Sequence, residues 1–455
     1  MRRLLLPLWL ILGACAPMAP TEPASRAAPP GQTASALPGA KRFATAQPQA
    51  PVASNADMAR DMLDLAFRLE SGRDLSVFTR FEGPVTLRVA GRVPASLGPD
   101  VDRLVQRLRH EAGIPIARVS ADPANITVQA IPRAEIRRNL PQAACFVVPG
   151  VSSLREYLRN RNSPRLSWAR VTRRDRVAVF LPADAAPQEM RDCLHEEVAQ
   201  ALGPLNDLYR LSDSVFNDDN VHSVLTGYDM TVLRAWYDPA LRSGLSRREV
   251  AARLPAILRR VNPGGEGRPQ RHLATTPRGW IEAVQTALGP GAEPPERRAA
   301  AALALRIARQ ERWRDHRLGF SHYVLGRILQ GRDSATAYRH FLQAEEHFGT
   351  RPDTRLHRAY VAAQLAAHAI NRNDPEAAMR RLGPHLATAA RYENAALLSS
   401  LMLLNAEALD LAGRSSAARA LRLDSLGWAR YGFGSDWAVR AKLREIGSLN
   451  PYKGG

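Results

Sequence analysis

Three turn signals stand 41 residues apart near the end of this chain: GRDS from Gly331, RNDP from Arg372 and GRSS from Gly413. Each follows an amphipathic segment and precedes an alanine-rich one, with Ser334, Asp374 and Ser416 placed to cap the second helix. A single helical hairpin cannot bury its apolar face, so a fixed period of such hairpins predicts stacked helix pairs. No strand-like run follows Gly291, and residues 291–448 are therefore expected to form an all-α helical-repeat domain.

Within it, LGRILQGRDSATAYRHFLQA resembles a tetratricopeptide repeat. Leu325-Gly326, Ala337, Phe341 and Ala344 fall near that family's small and aromatic packing positions. The turn is about one residue short and the period is longer than the family's roughly 34 residues. An irregular helical bundle is the alternative.

The part upstream has a different rhythm. Met62, Leu65 and Leu69 suggest a short helix, and PVTLRVAG alternates as a strand does. DVDRLVQRLRHEA places Val101, Leu104, Leu108 and Ala112 on one helical face, with Gly113 as its stop. ITVQAIP and VAVFLP read as further strands. This order predicts an α+β domain over 56–263, followed by a linker over 264–290; VNPGGEGRPQRH runs across that boundary.

Residues 16–55 are rich in alanine and proline without periodicity and are expected to be a disordered tether. Ahead of them, Arg2 and Arg3 precede LLLPLWLIL, an apolar run too short to span a bilayer, so residues 1–15 read as a signal peptide. The following LGAC resembles a bacterial lipobox, which implies lipidation of Cys15 and membrane attachment through it. Ala16 is not the aspartate associated with inner-membrane retention, which favours the outer membrane, facing the periplasm. A signal peptide with a chance cysteine is the alternative. In an oxidising compartment the two remaining cysteines, Cys145 and Cys193, are expected to form one disulfide rather than two free thiols.

The net charge of +19 does not point to nucleic acid. Lys41, Lys442 and Lys453 are the only lysines, and the arginines are interleaved with carboxylates along the whole chain instead of forming a patch. An aromatic content of 6% gives little support for polysaccharide binding.

The segment that carries chemistry is DCLHEEVAQALGPLND, Asp192 to Asp207. Metal chemistry on a helix needs ligands at i and i+4, with an acid beside the first. Counting from His195 fails, because Ala199 stands where the second ligand belongs. Counting from Glu196 keeps the whole frame of a metzincin zinc helix, which this segment resembles, but Glu196, Gln200 and Asn206 replace its histidines. Glu197 falls at the acid–base glutamate and Gly203 at the helix-ending glycine.

SVFND then resembles the methionine turn, with Phe216 in the methionine's place, and LTGYDMTVLRAWYD the helix after it, with Asp229, Leu233 and Tyr237 at the expected intervals. The resemblance covers about residues 75–263 and implies a zincin-like bacterial lipoprotein. Taken alone, the helix also reads as ordinary: Leu194, Val198, Leu202 and Leu205 form an apolar face opposite a polar one.

Oxygen ligands, two of them neutral amides, suit zinc poorly, so no cofactor is expected beyond a weakly bound divalent metal. Asp207, Asp218 and Asp219 stand near enough in sequence to complete an oxygen cage, and His195 or His222 to add a nitrogen. The reading that follows is a catalytically degenerate metallopeptidase-like domain joined to helical repeats that bind a protein or peptide in the cell envelope. The alternative is an active metallopeptidase with an oxygen-rich metal site and Glu197 as base.

Overall fold

The computed structural model describes residues 37–140 and 143–453. The expected signal peptide, Cys15 and most of the tether lie outside these residues. The described chain is one compact unit, a five-stranded mixed sheet with its helices followed by a many-helix region. No described helix is long and apolar enough to cross a membrane.

The first half begins with helix α1 (Asn55–Phe67), capped by Ser54, whose side chain accepts from the Asp57 amide. Strand β1 (Val85–Gly91), helix α2 (Leu97–Glu111), and strands β2 (Ile116–Arg118) and β3 (Ile126–Ile131) follow. Then come α3 (Arg133–Asn139), β4 (Phe146–Pro149), α4 (Leu154–Asn160) and β5 (Val177–Pro182). The sheet order is β2-β1-β3-β5-β4, parallel except for β4, which runs antiparallel to β5 at the edge. β5 is buried at every position, which is why VAVFLP reads as an unbroken apolar run and not as an alternation. β2 and β4, at three and four residues, were too short to carry a period, and the sequence reading passes over them.

Helix α5 (Pro187–Leu202) crosses the sheet, and α6 (Gly227–Trp236) and α7 (Arg247–Val261) close the half. Leu194, Val198 and Leu202 are fully buried in the main core beside Leu87, Val128 and Val179. Burial of such side chains contributes roughly 1.5–3 kcal/mol each. The disulfide between Cys145 and Cys193 joins the start of β4 to α5.

Two boundaries differ from the sequence reading. The last part of the expected tether lies on the folded body: Phe43 stacks on Trp428, the Lys41 amide donates to the Gly427 carbonyl, and Arg268 donates to the Pro51 carbonyl. An aromatic and a few backbone groups suffice to hold proline-rich chain that has no period of its own. The expected linker also contains structure, helix α8 (Arg278–Leu288), whose Trp280 is completely buried and donates to the Ser321 hydroxyl.

The helical region continues as α9 (Pro294–Gln310), α10 (His316–Leu329), α11 (Ser334–Phe348), α12 (Arg355–Asn371), α13 (Pro375–Arg391), α14 (Ala395–Leu411), α15 (Ser415–Phe433) and α16 (Asp436–Gly447). The three turn signals fall between α10 and α11, α12 and α13, and α14 and α15. Asp374 caps α13 as expected, but Asp333 and not Ser334 caps α11, and Ser416 lies inside α15. Ala337, Phe341 and Ala344 are fully buried, and the ring of Phe341 packs where a Cβ on Gly326 would stand, within 2.8 Å.

Candidate functional site

α5 carries the motif. Pro187 at its first turn lacks the amide hydrogen that would have no intrahelical acceptor there. At its other end the buried Arg174 donates to the carbonyls of Gln200, Ala201 and Gly203, the acceptors a helix terminus leaves unpaired. Burial lowers the pKa of the Arg174 guanidinium to about 10, although the phenolic oxygen of Tyr237 favours its charge. Gly203 stands against Trp236: a Cβ would meet the indole within 2.7 Å. The glycine that the sequence reading treats as a helix stop is also a packing requirement.

The residues after α5 fold back under it. The Leu208 amide donates to the Phe216 carbonyl, so the loop pairs with the SVFND turn. Asp229 holds that turn from α6, accepting from the Ser214 hydroxyl, the Val215 amide and the Thr226 amide. Phe216 is fully buried.

Of the residues proposed as metal ligands, Glu196 and Gln200 sit one turn apart on α5, each partly buried. Asn206 is buried, and its amide nitrogen donates to the Asp64 carbonyl of α1 at 3.1 Å. What gathers around Glu196 and Glu197 is a set of carboxyls: Glu70 from the loop after α1, Asp207, and Asp218 from the turn. Burial, reinforced by Asp218 and Glu70, raises Glu196 to about 8. Burial and the neighbouring Glu196 and Glu70 push Glu197 well above the carboxylate range.

Asp207 is raised likewise by burial and by the Glu70 carboxyl against it. Both Asp207 oxygens lack a donor if the two acids are ionised, so a hydrogen bond between them requires a proton on one. Asp218 is raised to about 6 by burial and Glu70, although Tyr209 donates to its Oδ2 at 2.8 Å and Gln285 of α8 at 3.4 Å. Glu197 is 5% exposed and its Oε2 has no hydrogen-bond partner.

The remaining candidates are held elsewhere. His195 Nδ1 accepts from the Leu225 amide at 3.1 Å, and burial beside Arg107 keeps the ring neutral. His222 faces Asp213 at 3.3 Å. Asp219 is not part of a solvated Asp-rich loop but buried, accepting from the Asn217 side chain and bonded to His357 of α12 at 2.7 Å. Glu70 is the member of the cluster that the sequence reading missed. It is an exposed acid in LESGRD, and nothing in its local pattern signals where the chain brings it.

Among the described residues, no group of three or more histidines, cysteines, aspartates or glutamates is arranged to hold a metal ion. The zinc that the metzincin resemblance implies does not fit the residues present: they supply carboxyls and amides, no imidazole faces them, and the Asn206 amide is already bonded. What the arrangement can do is hold protons on closely spaced acids near neutral pH, or receive a positively charged group.

Residues 55–256 match the model of a family described as "Protein of unknown function (DUF2927)". Neither a curated protein nor a solved structure gives a significant match to the chain.

Proposed function

We propose that this chain is a membrane-anchored envelope lipoprotein that works by recognition. In this reading the DUF2927 region is a zincin-like domain that has lost zinc chemistry, and the helical region is a tetratricopeptide-like array that binds a protein or peptide. Attachment through Cys15 and an outer-membrane, periplasm-facing location belong to the same proposal. The observation that carries it is the replacement of every histidine of the zinc frame by Glu196, Gln200 and Asn206, with the Asn206 amide bonded to α1.

The surrounding scaffold supports the ancestry. A mixed sheet lies beneath the motif helix, Phe216 is buried in the turn below it, and Asp229 of the next helix pins that turn. The helical pairs of the second half suit recognition, since stacked hairpins present extended concave surfaces. The unpartnered Glu197 oxygen favours the second reading, an active metallopeptidase with an oxygen-rich metal site.

Metal analysis of protein purified without chelator or nickel, followed by peptidase assay of wild type and Glu197→Gln, separates the two. Recognition predicts substoichiometric metal and no hydrolysis. Stoichiometric metal together with activity that disappears in Glu197→Gln overturns it.

A further inference from the structure

Strand β5 has two buried faces. Val177, Val179 and Leu181 enter the main core with α5, while Ala178 and Phe180 enter a second, smaller core across the sheet. That smaller core is covered by α3, by α4 and by one tight helical turn, Pro164–Leu166. Ile136, Leu140, Leu154 and Leu166 point into it, and the Tyr157 ring lies 5.6 Å from Phe146 and 6.2 Å from Phe180. The three short pieces thus form one thin layer over the sheet face opposite the motif helix.

The charge of that layer is one-sided. Between Arg133 and Leu166 stand seven arginines and two acids. Arg133 reaches Glu189 of α5 at 2.6 Å, and Glu156 is already held by Arg176 and by the Ser152 amide, each at 2.8 Å. The other six, Arg137, Arg138, Arg155, Arg159, Arg161 and Arg165, are exposed, and none is paired with a carboxylate among the described residues. Exposed arginines elsewhere commonly are: Arg118 meets Asp102, Arg247 meets Asp64 and Arg260 meets Asp238. The interleaving of charge seen along the whole sequence fails here, and folding leaves a layer of free guanidiniums.

Three features select the partner. A guanidinium fork matches phosphate with two parallel hydrogen bonds, so an array of forks suits a surface of phosphates. Leu158 of α4 is 40% exposed between Arg155 and Arg159, and an apolar side chain among cations suits the boundary between headgroups and acyl chains. The layer's aromatic rings, Phe146 and Tyr157, face each other within it, so neither is offered as the stacking platform that a nucleic-acid strand uses. Roughly four to eight basic residues is also the usual size of an anionic-lipid cluster.

We infer that the outer surface of α3, α4 and the Pro164–Leu166 turn is a docking face for an anionic phospholipid membrane. This rests on the membrane-attached reading only for the nearness of lipid. Docking by this face turns α5 and its motif, on the other side of the sheet, away from the bilayer.

The test is flotation of the full-length protein carrying Cys15→Ser, which cannot be acylated there, with two kinds of vesicle. One is phosphatidylcholine alone, the other an equimolar mixture with phosphatidylglycerol, each at low and high salt. Arg137→Gln/Arg138→Gln/Arg155→Gln/Arg159→Gln is compared with Arg372→Gln/Arg380→Gln/Arg419→Gln/Arg440→Gln. The second set removes the same charge from exposed arginines of the helical half. The apolar amino-terminal run is common to all three proteins, so differences between them report the face. Thermal melts establish that each is folded.

The expected result is binding to the acidic vesicles only, abolished by high salt. It should weaken at least tenfold in the first variant and less than twofold in the second. Absence of binding, or equal binding to both kinds of vesicle, overturns the inference and leaves attachment through Cys15 standing. Equal weakening in the two variants assigns the effect to net charge and overturns it as well. Tighter binding to single-stranded DNA or to hexaglutamate, lost in the first variant, makes this the face for another polyanion and also overturns it.

Discussion

His357 Nε2 of α12 lies 2.7 Å from Asp219 Oδ2 of the turn below the motif helix, with both side chains buried. The bond ties the α+β half to the helical half at a distance of 138 residues in sequence. Around it, Arg191 of α5 donates to the Glu393 carbonyl, Gln188 donates to Asn394, and Tyr431 donates to Asp100.

Removing one partner of such a buried pair strands the other. Asp219→Ala is expected to cost about 3–5 kcal/mol in chemical denaturation. A double-mutant cycle with His357→Ala should return a coupling of roughly 1–3 kcal/mol. Burial raises the Asp219 carboxyl, but His357 outweighs it and holds the group below its usual value. A depressed acid stabilises the fold above its unfolded pKa and loses that contribution as pH falls through the folded value. The wild type should therefore lose stability below the usual carboxylate range, and Asp219→Asn should lose less across the same acid titration.

The carboxyl cluster behaves in the opposite sense. Glu196 is raised to about 8, so the folded protein holds a proton that the unfolded chain releases. Between the unfolded carboxylate range and about pH 8, stability must then fall as pH rises. Glu196→Gln keeps the shape and removes the charge. It is expected to raise stability at pH 8 by about 1–3 kcal/mol and to flatten the slope between pH 5 and 8, as read by melting temperature against pH.

Gly203→Ala tests the contact at the end of α5. Its Cβ would stand 2.7 Å from the rigid Trp236 ring, which itself donates to the Thr79 carbonyl. Overpacking of about 1–3 kcal/mol is expected, measured by urea midpoint. A loss under 0.5 kcal/mol would mean that the indole yields without cost.

The Cys145–Cys193 disulfide closes a loop of 48 residues that includes β5. Replacing both cysteines with serine should lower stability by about 2–4 kcal/mol, and adding reductant to the wild type should bring its melting temperature to that of the double variant.

Much of this architecture was legible because periodicity survives without knowledge of neighbours. The 41-residue spacing of turns at Gly331, Arg372 and Gly413 announced helical hairpins, and the apolar stripe Leu194–Val198–Leu202 announced the buried face of α5. The pairing of Cys145 with Cys193, expected from reading the chain as exported, is the bond the structure contains. Short edge strands such as β4 and the packing of residues near Phe43 were not legible, because three or four residues carry no period and Trp428 is remote in sequence.

The site divides in the same way. The sequence by itself determined which side chains the motif helix displays, since spacing on a helix is local geometry: Glu196 and Glu197 at the end that frames the site, with no histidine in the zinc positions. Only the tertiary structure decided what those side chains meet. It drew the Asn206 amide to Asp64, set His195 against Leu225, and carried Glu70 and Asp218 to Asp207, because long-range closure of α1 and the turn onto α5 depends on the packing of the whole core.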